Sequence, residues 1–227
     1  MQKINLLGMH LTDYTLRESQ GIVERYLHNG ACNTIVFLSA KMLVGAGIDE
    51  MQKAWIEEID LITWNDAETL KKAGVSAKSR IHEVEHQEFI QDFLKRISKN
   101  NCTVYLLADS DTELKRLRGD LGALRNDLRI IGEMVVERGK DRYDAIVNEI
   151  NIAAPVVIIS RIQYDQLEHM MTECKNYLNA EVWLGLNYQT ILNKDRRNIF
   201  QKTVNRWYRL LFHRFVNVYE QQKNEES

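Results

Sequence analysis

Short apolar runs alternate with helical patterns almost from end to end of this chain, and that rhythm leaves few folds open. The runs 34–38 (TIVFL), 61–63, 103–107 (TVYLL), 128–131, 155–160 (PVVIIS) and 181–184 are rich in β-branched residues and four to six residues long or slightly shorter, as strands require. Between them, 15–27, 88–97, 111–124, 142–151 and 163–177 follow the 3.6-residue period of helices. Thr15 with Glu18 forms a capping box, and Ser110 or Asp111 suits the start of the helix over 111–124. Strands that are apolar throughout, rather than alternating, are buried on both faces. The pattern therefore predicts an α/β fold with a mainly parallel, Rossmann-like sheet, flanking helices and a basic amphipathic helix as a C-terminal appendage.

In such sheets ligands bind at the carboxyl ends of the strands, so the loops that follow them carry the functional interest. These are Ser39-Ala40-Lys41, Trp64-Asn65-Asp66, Ala108-Asp109-Ser110, Ser160-Arg161-Ile162 and Gly185-Leu186-Asn187. Asp66, just past a strand, is placed to act as a general base or to bind a sugar hydroxyl; it equally suits the N-cap of a helix over 67–73. Arg161 at a strand end can pair with a phosphate, and Glu168 suits the first turns of the helix after it. No G-x-G-x-x-G fingerprint and no G-x-S-x-G elbow is present, which disfavours a dinucleotide fold of that type and a serine hydrolase.

His82-Glu83-Val84-Glu85-His86 matches H-E-x-x-H, the pattern of zinc peptidases. It lies in a polar stretch at a helix entrance without a third ligand downstream, so a solvated structural role is expected and no metal. Cys32, Cys102 and Cys174 lack metal or redox spacing and read as buried thiols of a reducing compartment.

The segment 196–219 (RRNIFQKTVNRWYRLLFHRFVNVY) holds six Lys/Arg and no acid; its +6 leaves −8 for the rest of a chain whose net charge is −2. Phe200, Val204, Trp207, Tyr208, Leu211, Phe215, Val218 and Tyr219 keep a helical repeat, with Lys202, Arg206, Arg209 and His213 about half a turn away. Such a helix either docks on the core with a solvated basic face or offers that face to an anionic surface. A pI near 6.3 argues against a nucleic-acid binder. No signal peptide or membrane-length apolar run is visible, which predicts a cytoplasmic protein whose membrane contact is peripheral. The boundary between an α/β domain over 1–195 and an appendage over 196–227 is expected near 193–197.

Taken together, several segments over about 4–215 resemble the WecG/TagA/CpsF family of glycosyltransferases. The family's T-x-N-x-x-M-L motif aligns with Phe37-Leu38-Ser39-Ala40-Lys41-Met42-Leu43, its P-D-G with Asn65-Asp66-Ala67, and its R-V-x-G-x-D with Arg80-Ile81-His82-Glu83-Val84-Glu85. Its L-L-G-G aligns with Leu106-Leu107-Ala108-Asp109, its Q-E with Leu167-Glu168, and its basic E-W-x-Y-R-L tail with Asn205 to Leu211. The Asn of the first motif becomes Ser39, and glycines become Ala67, Glu83, Ala108 and Arg161, the last placing a long side chain where a nucleotide would lie.

The resemblance implies transfer of an N-acetylmannosamine-type sugar from a UDP-sugar to a lipid-linked diphosphate acceptor at the cytoplasmic membrane surface, with no cofactor beyond the donor. It implies Asp66 as general base and Ser39, Asn65, Arg80 and Glu168 as substrate-binding positions. It also implies Arg206, Arg209 and Arg214 directed at the diphosphate. The worn motif positions keep a second expectation open: a non-catalytic binding or regulatory relative, a homo-oligomer or the partner of an active glycosyltransferase.

Overall fold

The computed structural model describes residues 1–136, 143–186, 188, 190, 192 and 199–225, with side chains of the last helix described over 203–222. The expected boundary at 193–197, Asn187, and the side chains of Phe200 and Lys202 lie outside the described residues.

The chain opens with strands β1 (Gln2–Leu6) and β2 (Met9–Asp13), then α1 (Leu16–Tyr26), β3 (Asn33–Leu38), α2 (Ala40–Ala46), α3 (Glu50–Glu58) and β4 (Leu61–Trp64). Next come α4 (Ala67–Lys72), α5 (Lys78–Glu85), α6 (Glu88–Lys99), β5 (Thr103–Ala108), α7 (Asp111–Leu124) and β6 (Arg129–Val135). The remainder is α8 (Asp144–Ala153), β7 (Val157–Arg161), α9 (Tyr164–Cys174), β8 (Val182–Leu186) and α10 (Ile199–Glu225).

β3 to β8 form one six-stranded parallel sheet in the order β4-β3-β8-β7-β5-β6. The expected parallel α/β architecture is therefore present. Strand residues alternate between two cores. Val36, Leu38, Tyr105, Leu107, Ile158 and Trp183 face one side, where residues of α2, α3, α9 and α10 pack. Ile35, Phe37, Val104, Leu106, Ile159 and Leu184 face the other, with α1, α6 and α7. Thr15 forms the expected capping box on α1: its hydroxyl accepts from Glu18 N at 3.4 Å and Glu18 Oε2 accepts from Thr15 N at 2.9 Å. Ser110, not Asp111, caps α7.

The structure departs from the sequence reading at several points, among them the helices α2 and α3, which were not expected. β1 and β2 pair as an antiparallel hairpin outside the main sheet, joined by Leu7 and Gly8, both at positive φ (51° and 75°). The expected strand at 128–131 runs as Arg129–Val135 along the sheet edge.

The C-terminal helix is a further departure. α10 runs beside α2, with Tyr208 near Lys41 and Phe215 near Gly47, so the two helices point the same way. Phe212 and Val216 are buried in the same core as α2, with Tyr208, Leu211 and Phe215 packed around them. The buried stripe is thus centred on Phe212, outside the predicted repeat. Trp207 and Leu210 are 63 % and 62 % exposed, on the side that carries Arg206 and Arg214.

Candidate functional site

At the carboxyl end of the sheet the β3–β4 register sets Leu38 beside Trp64, and Asn65 N donates to Leu38 O at 3.0 Å. Ser39 and Asn65 therefore leave adjacent strands side by side. Each strand passes within two residues into a helix. Ser39, buried, caps α2 by accepting from Met42 N at 3.4 Å. Asp66 caps α4: Oδ1 accepts from Thr69 N and Oδ2 from the Thr69 hydroxyl, each at 2.9 Å. The cap role that its position suggested is realised, and the half-buried carboxylate stays at the rim.

α10 joins these two helix starts. Its residue Tyr208 lies 5.8 Å from the ammonium of Lys41 in the first turn of α2. The next residue, Arg209, donates through Nη1 to Glu68 in the first turn of α4. Arg206 and Arg214 project from the exposed side of α10 instead. The Tyr164 ring at the start of α9 lies 4.7 Å from the Lys41 ammonium, and its hydroxyl donates to Gln52 Oε1 at 3.4 Å. Burial raises the Tyr164 phenol pKa.

Arg80 lies beneath this rim, nearly inaccessible, and its guanidinium is committed. Nε donates to Asp13 Oδ1 at 3.0 Å, Nη2 lies 3.0 Å from the same oxygen, and Nη1 donates to Glu83 Oε2 at 3.1 Å. Trp64 Nε1 donates to Asp13 Oδ1 at 2.8 Å and Leu16 N to Glu83 Oε2 at 2.9 Å. The hairpin, β4, α1 and α5 are thereby tied at one buried point. Glu168, one turn into α9, faces the start of α3. Burial first, and then the charges of Asp49 and Asp165, hold its carboxyl above the usual carboxylate range. The structure thus brings Ser39, Asn65, Asp66 and Arg209 to one rim, puts Arg80 in the scaffold below it, leaves Arg206 and Arg214 on the exposed side of α10, and sets Glu168 on α9 near Tyr164 and Asp49.

Across the sheet the rim changes character. The expected phosphate partner Arg161 is turned inward and enclosed: Nη1 donates to Asp120 Oδ2 at 2.7 Å and Nε lies 3.2 Å from Glu113 Oε2. A guanidinium held by two buried carboxylates has no charge left over for a phosphate. Beside it, Asp109 accepts from Gln163 N at 3.2 Å and from the Tyr188 hydroxyl.

His82 and His86 stack with ring centroids 3.9 Å apart on the exposed side of α5, and His82 Nδ1 contacts Glu88 Oε1 at 3.1 Å. Among the described residues no group of three or more His, Cys, Asp or Glu is placed to hold a metal. Cys32 and Cys174 are buried, and burial pushes both thiols up to about 12. Sequence reasoning placed Lys41 in a strand-end loop; the structure puts it in the first turn of α2, a helix that the sequence reading did not expect.

A family model for the glycosyl transferases of the WecG/TagA/CpsF type matches residues 4–187, and the chain belongs to that family. The match spans the whole sheet and ends before α10. No curated protein matches the chain. The family implies a glycosyltransferase of cell-surface polysaccharide synthesis, with a sugar donor and a lipid-linked acceptor. No helix among the described residues is long and apolar enough to cross a membrane.

Proposed function

We propose that this WecG/TagA/CpsF family member transfers an N-acetylmannosamine-type sugar from a UDP-sugar to the hydroxyl of a lipid-linked diphosphate acceptor. The observation that carries the reading is the meeting of Asp66 and Arg209 at one rim, through Glu68. The acceptor oxygen attacks the anomeric carbon while the bond from that carbon to the donor's β-phosphate oxygen breaks. Asp66 takes the hydroxyl proton, and UDP leaves as the diphosphate. In this reading Arg209 meets the charge that grows on that leaving group, since a guanidinium pairs with phosphate through two N–H groups. Asn65 and Ser39 line the same rim. Arg80 serves the site by holding β4 and α5 in place.

The exposed side of α10, with Arg206, Trp207, Leu210 and Arg214, supports contact with an anionic membrane surface. That contact is peripheral, on the cytoplasmic face where the UDP-sugar is found.

One observation favours a second reading, a binding or regulatory relative without turnover: both carboxylate oxygens of Asp66 already serve Thr69. The test is UDP release in the presence of the sugar donor and a prenyl-diphosphate-linked acceptor. The transferase reading expects release by the wild type and its loss in Asp66→Asn. Equal release by both proteins sinks the base assignment, and UDP binding without release by either supports the second reading.

A further inference from the structure

We infer that His82 and His86 chelate a divalent transition-metal ion of the class of Cu²⁺, Ni²⁺ and Zn²⁺, each through its Nε2 atom. The inference is independent of the transferase reading.

His82 lies in the last turn of α5 and His86 ends that helix, four residues on, so both stand on one side of one turn. Both are exposed, and their rings stack with centroids 3.9 Å and planes 23° apart. Each ring is fixed through its Nδ1. His86 Nδ1 lies 3.0 Å from His82 O, and His82 Nδ1 lies 3.1 Å from Glu88 Oε1. A backbone carbonyl only accepts, so His86 Nδ1 carries the hydrogen, and His82 Nδ1 carries it towards the carboxylate in the same way. In the neutral ring the lone pair is then on Nε2. Among the described residues neither Nε2 has a hydrogen-bond partner. Two nitrogens able to bind a metal are therefore set side by side, each oriented by a bond at the far side of its ring. Carboxylate and backbone carbonyl are the two groups that ordinarily hold metal-bound histidines in this way.

This reverses the expectation of no metal drawn from the sequence. H-E-x-x-H as a peptidase centre needs a third protein ligand and a glutamate free to activate water. Among the described residues no third ligand is in place, and Glu83 is turned to Arg80 Nη1 and Leu16 N. A two-histidine clip needs neither, because water fills the remaining positions on the ion. Imidazole nitrogens suit copper, nickel and zinc, whereas magnesium and calcium prefer oxygen. The ion closes the last turn of α5, the helix that also supplies Arg80 and Glu83 to the buried knot with Asp13. Its role is to stabilise that helix.

The test uses the full chain without a histidine tag, stripped of metal by dialysis against a chelator, with the metal ions alone as probes. Titration calorimetry is expected to show one Cu²⁺ per chain at this pair, bound more tightly than Zn²⁺. Electron paramagnetic resonance of the Cu²⁺ form is expected to show two nitrogen ligands. His82→Gln and His86→Gln are each expected to weaken Cu²⁺ binding about a hundredfold, the loss of one of two linked ligands. Glu88→Ala is expected to weaken it about tenfold, through the orientation of His82. Zn²⁺ is expected to raise the thermal unfolding midpoint of the wild type and to leave that of the double variant His82→Gln/His86→Gln in place. Midpoints measured without metal check that each variant is folded. Wild-type Cu²⁺ affinity in both folded single variants overturns the inference, as does a Cu²⁺ signal with fewer than two nitrogen ligands or no Cu²⁺ binding by the wild type. Each of these results leaves the transferase reading standing.

Discussion

Arg209 on α10 donates to the carboxylate of Glu68, two residues beyond Asp66 in the helix that Asp66 caps. A residue from the last helix and a residue from the end of β4 are thus held to the same short stretch of backbone. The sheet supplies the rim, and α10 closes one side of it.

Asp66 has two separable roles, and substitutions tell them apart. Asparagine still caps a helix, whereas alanine does not. Asp66→Ala is expected to lose about 1 kcal/mol in urea unfolding, and Asp66→Asn a few tenths at most. Both are expected to lose turnover by about a hundredfold or more, the typical contribution of a general base.

Arg80 is read as scaffold. Removing one partner of a buried ion pair strands the other, so Arg80→Ala is expected to cost about 3–5 kcal/mol in denaturant unfolding. Replacing Asp13 and Arg80 together is expected to cost less than the two single losses added, because neither is then left buried without the other. Strict additivity would contradict the network.

The two sides of α10 are expected to respond differently. Phe212→Ala opens a cavity in the core and is expected to cost about 3–5 kcal/mol. Trp207→Ser, on the exposed side, is expected to change stability by about 0.5 kcal/mol or less while lowering sedimentation with anionic vesicles. Unchanged vesicle binding would remove the membrane role of this side.

Glu168 gives a pH signature. Its carboxyl is raised in the folded protein, from an ordinary value of about 4.5, so the folded state holds the proton more tightly than the unfolded chain. Stability from this group is therefore lost as pH rises from that ordinary value through the raised one, and then levels off. The stability of the wild type relative to Glu168→Gln is expected to fall across that window in urea titrations at successive pH values. A flat difference would contradict the burial of the carboxyl.

The sheet was legible because strands buried on both faces must be apolar throughout, as 34–38 and 103–107 are. The hairpin was not, because its turn is Leu7-Gly8 rather than an Asn-Gly or Asp-Gly pair, and Leu7 gives no signal of the positive φ it adopts. α2 escaped notice because Ala40, Met42, Leu43, Val44 and Ala46 are buried around nearly its whole circumference, leaving no amphipathic period to read. In α10 the period was visible, but Phe212 could not be told from its aromatic neighbours until α2 showed which face was covered. At the site, Asp66 and Arg209 were named from the sequence. The inward pairing of Arg161 and the contacts of Lys41 with the Tyr164 and Tyr208 rings join residues distant in sequence, which no local pattern records.

The most direct measurement is the mass of the acceptor after incubation with UDP-sugar on anionic vesicles. With the wild type, the lipid-linked acceptor is expected to gain one N-acetylhexosamine, and with Asp66→Asn, folded and equally stable, to remain unmodified. An acceptor left unmodified by wild-type protein that binds UDP, or modified equally by both proteins, would contradict the assignment of this rim as a glycosyl-transfer site with Asp66 as its base.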